Sequence, residues 1–397
     1  MTLVQYLYLA FFLLPAVVVA TYHLFLMLAR LAGGRAYAEA SRNPTHTFAI
    51  VIPAHNEQDI IEHALRSCSE LDYPADKYRV FVVADNCTDD TTGIATSLGA
   101  CCLERKDAER QGKGFALEWA FHQILPSAYD AMVVLDADCV IERHSLRVFD
   151  YCLEQGDLAL QANHIPSNPD ASPISYMAMV GNILEYDYFY APKSTLGLAV
   201  MLVGTGMVLH RTLLQDHPWN VHSAVEDAEY TLILARHDIH VRFIANASVV
   251  VAAAERREQL SVQRKRWAGG ALRLGRESAA ALLVRGILTR RMHLADAGFT
   301  LLIVSRPLVL VHVALTVGIG ALLQAVYPDA VHESFAAIGV GVLAAYFVYF
   351  SVGVAVVGLS MRRARYLLWT PFILLRLMFI ALQSGMSATT PWTRTPR

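Results

Sequence analysis

The sequence predicts an α/β domain with a doubly wound sheet, inserted between one N-terminal and two to three C-terminal transmembrane helices, with amphipathic helices at the membrane interface. Three observations support this fold class. Of the 397 residues, 55% are hydrophobic and only 17% are charged, a balance more apolar than that of an ordinary soluble protein. The apolar residues concentrate in long runs near both ends of the chain. Between them, short β-rich runs alternate with amphipathic stretches.

The first predicted transmembrane helix is the nearly uncharged run Leu3–Leu28, which lies within a first region of residues 1–30. It is long enough to cross about 30 Å of hydrocarbon. A signal peptide is the alternative, but no positive region precedes the run and no small-residue cleavage site follows it. Arg30, Arg35 and Arg42 come directly afterwards, so the positive-inside rule places the next region in the cytoplasm.

The polar region, residues 46–254, has the alternating pattern of a βαβ sheet. Ligands of open α/β sheets bind at the carboxyl ends of strands, so the polar residues there are expected to line a site. Buried strands are predicted at Phe48–Pro53, Val80–Ala84 and Ala131–Asp136. Helices are predicted at Glu57–Glu70, Asp89–Leu98, Gly114–Ile124 and Glu142–Gln155.

The C-terminal third combines interfacial and membrane segments. Residues 255–292 are basic and amphipathic, which is typical of helices on a membrane surface. A membrane region, 297–386, precedes a tail, 387–397, and its last apolar run contains Arg376, whose charge would be costly at mid-bilayer. That last run therefore either spans the membrane, forms a re-entrant segment, or lies in the membrane–water interface. The three apolar runs are Ala297–Val326, Phe335–Leu359 and Tyr366–Met386.

Charge and cysteine content exclude two classes of function. The formal net charge of -2 and the lack of a basic stripe argue against nucleic-acid binding. All six cysteines lie in the polar region without the paired CxxC spacing of a zinc site. We expect them to be reduced thiols in a cytoplasmic domain.

Asp136 and Asp138 are the most informative pair of acidic residues, because they follow the apolar run Met132–Leu135. Alternate side chains of an extended chain share a face, so both carboxylates can bind one hard divalent cation. The alternative is a solvated strand end, since this spacing is common by chance. Four other strings also carry candidate chemistry: Val51–Glu57, Val82–Asp90, Arg110–Gly114 and Val225–Glu229.

In their order along the chain, these strings resemble the motifs of the family 2 glycosyltransferases, whose nucleotide-binding half has a doubly wound GT-A fold. The resemblance covers about Phe48 to Gly270. Gln263-Arg264-Lys265-Arg266-Trp267 matches the QxxRW motif of members that build membrane-associated polysaccharides. At the far end, Trp392–Arg397 is similar to the WxRTxR ending of some bacterial exopolysaccharide transferases.

The resemblance implies a role for each motif residue in an inverting hexosyl- or N-acetylhexosaminyltransferase that forms a β-linkage. Asp227 would be the general base, and Mg²⁺ or Mn²⁺ would bind Asp136 and Asp138. The nucleotide-diphosphate donor, a UDP sugar by this resemblance, would contact Glu57, Asp85, Lys113, Asp136 and Arg266. The acceptor would contact Gly206, Glu226, Gln263 and Trp267.

Ordinary structural roles remain the alternative at each position: turn formation at Asp85 and Gly206, a loop lysine at Lys113, helix-dipole interaction at Glu57 and Asp227, and lipid anchoring at Arg266 and Trp267.

Two acceptors stay open: a growing exopolysaccharide, which the QxxRW string favours, and a lipid such as a polyprenyl phosphate or a ceramide-like molecule. Three or four spans are few for a private export channel, so a processive enzyme would need an export partner or self-association. A transporter or an inactive scaffold is the non-enzyme alternative. It is disfavoured because the clear spans hold no acidic residue. The expected location is a bacterial inner or plasma membrane, with several spans in the lipid bilayer and the catalytic domain in the cytoplasm.

Overall fold

A mixed sheet organises the polar domain. The computed structural model describes residues 2–33 and 38–386 of the chain. In this described part the sheet has eight strands in the order β3-β2-β1-β4-β7-β6-β8-β5. β1 pairs in parallel with β2 and β4, and β7 runs antiparallel to both β4 and β6. The strands are β1 Phe48–Ala54, β2 Tyr78–Asp85, β3 Cys101–Arg105, β4 Ala131–Val134, β5 Val140–Ile141, β6 Ala159–Pro166, β7 Met207–His210 and β8 Val241–Val251.

The parallel half of the sheet forms because its strands are almost uniformly apolar. Six of the seven residues of β1 are buried, and all four residues of β4 are buried. Helices therefore cover both faces, as parallel sheets require. The carboxyl ends of β1, β2 and β4 meet at one edge, where ligands of such sheets bind.

Helix boundaries in this domain differ from the predicted ones by at most four residues. The largest difference is at the first helix, which begins at Ile61 because the amides of Ile60 and Ile61 first form a turn with the carbonyl of Glu57. Glu57 thus precedes the helix. The helices of this domain are α2 Ile61–Ser69, α3 Thr91–Ser97, α4 Lys113–Ile124, α5 Ser145–Glu154, α6 Pro173–Glu185, α7 Ala191–Thr195, α8 Arg211–Asp216 and α9 Glu226–Arg236. A π-helical turn, Tyr186–Tyr190, joins α6 to α7.

The described residues contain three helices that are long and apolar enough to cross a membrane: α1 Leu3–Gly33, α12 Arg306–Val326 and α13 Ala330–Val357. The last apolar run forms α14 Met361–Leu367 and α15 Thr370–Met386, bent by 45° at their junction, and would be a fourth span or a re-entrant segment. The tail 387–397, including Trp392–Arg397, lies outside the described residues.

The predicted apolar run Ala297–Val326 is wrong as a single helix. It is divided by a non-helical break at residues 303–305. Its first part belongs to α11 Met292–Leu302, which packs against the long helix α10 Arg257–Leu288. α11 is attached to α7 of the polar domain because Asp296 forms a buried ion pair with Lys193, at 2.9 Å. Tyr22 of α1 donates a hydrogen bond to the same carboxylate, which joins this first apolar helix to α11 and, through Lys193, to the polar domain.

Candidate active site

Asp85 lies at the carboxyl end of β2, in a buried ion pair with Arg105 at the end of β3. Arg105 Nη1 donates to Asp85 Oδ1 at 2.6 Å, and the two residues are register partners in adjacent parallel strands. Burial raises the pKa of Asp85, and the guanidinium opposes that effect. His55, at the end of β1, bonds the carbonyl of Asp85 at 2.7 Å and joins the two strand ends. The amide of Glu57 donates to Thr91 Oγ1 at 2.8 Å, which places Glu57 beside the start of α3.

Asp136 and Asp138 come together in a turn after β4, not in an extended strand. The predicted strand Ala131–Asp136 ends at Val134, because the amide of Cys139 closes a turn onto the carbonyl of Asp136 at 3.0 Å. The ligand atoms of Asp136, Asp138 and Cys139 all lie within 4.8 Å of one another. Burial raises the pKa of the Cys139 thiol well above its ordinary value, so the two carboxylates are the donors suited to a hard cation.

Lys113, the first residue of α4, reaches from its glycine-flanked loop into this turn. Its ammonium donates hydrogen bonds to Asp136 Oδ1 and to the carbonyl of Gly204, the latter at 2.5 Å. Burial lowers the pKa of Lys113, but the charges of Asp136, Glu226 and Asp227 outweigh burial and raise that pKa to about 12. Lys113 is therefore a fixed positive charge at the centre of three carboxylates.

The segment 203–206 lies against this lysine and is held from behind by β6. The fully buried amide of Gln161 accepts from the amide of Val203 at 3.0 Å and donates to the carbonyl of Thr205 at 2.8 Å. Thr205 Oγ1 in turn accepts from the amide of Asp136 at 3.1 Å. These bonds connect the loop to the carboxylate turn, and neither Gln161 nor Thr205 was identified from the sequence.

Gly204, not Gly206, faces the carboxylate of Asp227. At Gly204, where φ is +81°, an added Cβ would lie 3.1 Å from Asp227 Oδ2 and 3.3 Å from Lys113 Nζ. A Cβ at Gly206 would lie 2.8 Å from the Cβ of Ala162, inside the sheet. The missing side chain at Gly204, rather than the one at Gly206, therefore lies next to Asp227 and Lys113. The repeated glycines of Gly204-Thr205-Gly206 were the available sequence signal, but they do not tell which one faces the site.

Glu226 and Asp227 form the first turn of α9, as the sequence predicts for carboxylates at a helix start. Asp227 Oδ1 accepts from the amide of Ala228 at 2.7 Å. Burial and the neighbouring charge of Glu226 raise the pKa of Asp227 to about 7. Burial also raises the pKa of Glu226, against the opposing charges of Lys113 and Arg266. Asp227 is thus a carboxylate suited to take up a proton near neutral pH.

The long helix α10 brings the Gln263–Trp267 string next to this pair. At Gly270, one turn after Arg266, an added Cβ would lie 2.8 Å from Val225, the residue that precedes Glu226. The missing side chain therefore allows α10 to pack directly on the start of α9. Trp267 is 39% exposed, and the guanidinium of Arg264 lies over its ring at 5.3 Å. The ring of Trp267 is thus partly exposed, with the guanidinium of Arg264 on one side of it.

Gly204→Ala is expected to lower turnover about tenfold, because the new Cβ would push Asp227 and Lys113 aside by a few tenths of an ångström, less than the misplacement of about 1 Å that costs about 10²-fold. Gly99→Ala is the matched control. Gly99 has nearly the same φ, +83°, but no atom lies within 4 Å of its added Cβ. The measurement is the steady-state rate of both variants alongside their melting temperatures. Equal rates in the two variants would contradict the placement of Gly204 at the reacting groups.

Comparisons with known proteins identify the family and the fold of this domain. A family described as "Glycosyltransferase like family 2" matches residues 44–270. The chain is 27% identical over 237 residues to beta-monoglucosyldiacylglycerol synthase of Synechocystis, covering 58% of this chain and 49% of that protein. It is 28% identical over 231 residues to the UDP-forming cellulose synthase catalytic subunit of Pseudomonas fluorescens, covering 56% of this chain and 31% of that protein. The chain therefore spans half or less of the length of these two relatives.

Among solved structures, the mannosyltransferase PcManGT from Pyrobaculum calidifontis, in complex with GDP-Man and Mn²⁺, is similar over 84% of this chain and 96% of its own. The TM-score is 0.55 and the sequence identity is 18%. At that identity, the similarity establishes the fold alone. It extends beyond the sheet domain, because the family match covers only residues 44–270.

Proposed function

The chain belongs to glycosyltransferase family 2, and from that membership we propose that it is an inverting hexosyl- or N-acetylhexosaminyltransferase. It transfers a sugar from a nucleotide-diphosphate donor, a UDP sugar in the first instance, to an acceptor at the membrane surface. The observation that carries the proposal is that Lys113 binds both Asp136 and the carbonyl of Gly204, and that Asp227 and Lys113 lie together at the open face of Gly204. This arrangement places Asp227, a carboxylate of raised pKa that can act as a base, next to the positive charge of Lys113.

The proposed reaction is a single in-line displacement. Asp227 takes the proton of the acceptor hydroxyl, and the oxygen attacks the anomeric carbon on the side opposite the diphosphate. The bond to the diphosphate breaks as the new glycosidic bond forms, so an α-linked donor gives a β-linked product. Lys113 and Arg266 neutralise the negative charge that develops on the leaving diphosphate, which lowers the barrier because they are already in place.

Donor binding is assigned to the other strand ends. Asp85 and Glu57 contact the nucleoside in this proposal, and Arg105 orients Asp85 through its 2.6 Å hydrogen bond. Asp136 and Asp138 fit a divalent cation, Mg²⁺ or Mn²⁺, because two carboxylates meet in one turn and the adjacent thiol stays protonated. Such an ion would stabilise charge on the diphosphate oxygens as a Lewis acid. The PcManGT structure, which contains GDP-Man and Mn²⁺, supports this assignment.

For the acceptor we propose a growing exopolysaccharide, with a lipid as the second candidate. The exposed ring of Trp267 supports the first, because a flat aromatic face stacks on a sugar ring. Gln263 and Glu226 contribute polar contacts in this proposal. A relative named as a cellulose synthase catalytic subunit supports the polymer, and one named as a beta-monoglucosyldiacylglycerol synthase supports the lipid.

We place this activity at the cytoplasmic face of a bacterial inner or plasma membrane. Three described helices are apolar enough to span a bilayer, and Arg30 lies in the last turn of the first of them, at the end that leads to the sheet domain. A polymer product would require an export partner or self-association, because the described spans are few.

The pH profile follows from the raised pKa of Asp227, about 7. Only the unprotonated carboxylate accepts a proton, so kcat/KM should fall about tenfold per pH unit below pH 7 and level off above it. An aspartate with an ordinary pKa, about 3.9, would give a flat profile over that range. The measurement is kcat/KM between about pH 5.5 and 9. A profile that stays flat down to the lowest pH would contradict the assignment of Asp227 as the base.

The proposed function is tested by incubating membranes that carry the protein with Mg²⁺ or Mn²⁺ and a panel of UDP and GDP sugars. Nucleotide release and product size are measured, with membranes lacking the protein as the control. We expect release from at least one donor, and a product in the aqueous or the lipid fraction distinguishes the two acceptors. Release from no donor would overturn the proposal.

A further inference from the structure

A groove of about 590 Å³ lies between three helices, α6, α10 and α15. Its walls come from the start of α6, the start of α10 and the first turns of α15. The volume lies within the usual range for small-molecule sites, about 300–1,000 Å³. The apolar part of the wall is formed by Ile174, Leu260, Trp369, Phe372 and Ile373.

Three arginines, Arg256, Arg257 and Arg376, also line this groove. Across residues 2–33 and 38–386, none of the three forms an ion pair with a carboxylate. Arg376 Nη2 instead donates to Ser261 Oγ at 2.8 Å. Two acids line the groove as well: Glu255, which accepts from the Asn168 amide at 2.8 Å, and Glu258. The lining therefore carries a net positive charge next to an apolar wall.

Arg376 sits within the apolar helix α15, where a charge facing hydrocarbon would be costly. Its guanidinium is directed to α10, a basic helix of the kind that lies at the headgroup level. Trp369, at the bend before α15, is a residue type enriched at the same level. The groove thus presents an apolar wall to acyl chains and guanidinium groups to a phosphate.

We propose that this groove binds an anionic phospholipid of the bilayer, with an acyl chain along the wall of Trp369, Phe372 and Ile373 and its phosphate at Arg376 and Arg256. Guanidinium groups suit the phosphate because they form bidentate hydrogen bonds. Leu260 and Trp267 lie seven residues apart, about two turns or 10 Å along one face of α10. The bound lipid therefore stabilises the position of the helix that carries Trp267, whichever acceptor the enzyme uses.

Fluorescence quenching by brominated lipids tests the site directly, because Trp369 lies in the groove. The full chain is reconstituted in vesicles with either brominated phosphatidylglycerol or brominated phosphatidylcholine at equal mole fraction. Subtracting the signal of Trp369→Phe isolates the contribution of Trp369. We expect stronger quenching by the anionic lipid. In Arg376→Gln the apparent affinity for it should fall about fivefold, the effect of removing one cationic side chain near an anionic surface.

Arg365→Gln is the matched control, because Arg365 lies on α14 and does not line the groove. The affinity of this variant for the anionic lipid should equal that of the unmodified chain. Arg256→Gln is the second groove variant and carries the test if Arg376→Gln fails to fold. Equal quenching by both lipids would overturn the proposal, as would an unchanged affinity in the folded groove variants. No sugar donor is used, so the outcome is independent of the proposed function.

Discussion

Asp227→Asn is expected to lower kcat by about 10³-fold while nucleotide binding is retained, because positioned general bases contribute about 10²–10⁴-fold. Asparagine keeps the shape of the side chain and cannot take up the acceptor proton. The buried carboxylate has a pKa raised to about 7, so above that pH its charge destabilises the folded state relative to the unfolded one. The variant should therefore melt at the same or a higher temperature than the unmodified protein above pH 7.

Asp216→Asn is the control for this change, because Asp216 is an exposed carboxylate at the end of α8. Its turnover should equal that of the unmodified protein. The measurements are steady-state turnover, calorimetric binding of UDP or GDP, whichever nucleotide the enzyme releases, and melting temperature. Unchanged turnover in Asp227→Asn would contradict the mechanism, and loss of nucleotide binding together with folding would contradict the local role given to this residue.

Asp138→Asn is expected to lower turnover about 10²–10³-fold, because metal-ion charge stabilisation contributes several kcal/mol. Asp138 is exposed in the turn after β4, with its carboxylate within 4.8 Å of the ligand atom of Asp136. The substitution removes one charged oxygen donor from the pair. Turnover is measured as a function of Mn²⁺ concentration, and the half-maximal concentration should rise in the variant.

Asp76→Asn provides the comparison for the metal pair. Asp76 is exposed and precedes β2, at the opposite end of the strand from the carboxylate turn. This variant should keep both the rate and the Mn²⁺ dependence of the unmodified protein. If Asp138→Asn behaves in the same way, Asp138 does not hold a cation that the reaction needs.

The parallel strands and the edge that carries the site were predictable because buried parallel strands are continuous apolar runs that end in polar residues. The first strand was predicted as Phe48–Pro53 and spans Phe48–Ala54. Membership of family 2 and the α/β sheet domain of GT-A type are confirmed by the family match and the similar solved structure. The positions of Asp85, Asp136 and Asp138 at this edge follow from the same pattern.

The remaining features depend on contacts between distant parts of the chain. Gln161 holds the loop that contains Thr205, and Gly270 packs on Val225, and no local pattern shows either contact. Hydropathy also does not distinguish helices buried in protein from helices buried in lipid. That is why the run Ala297–Val326 was predicted as one segment, although Asp296 and Lys193 hold its first part against the polar domain.

The configuration of the product tests the central claim, a single displacement at Asp227, most directly. An α-linked nucleotide sugar that the enzyme accepts is followed by proton NMR during turnover, before the product can anomerise. The mechanism predicts that the first glycosidic bond formed has the β configuration. A first product with the α configuration would contradict the single displacement and the role of Asp227 in it.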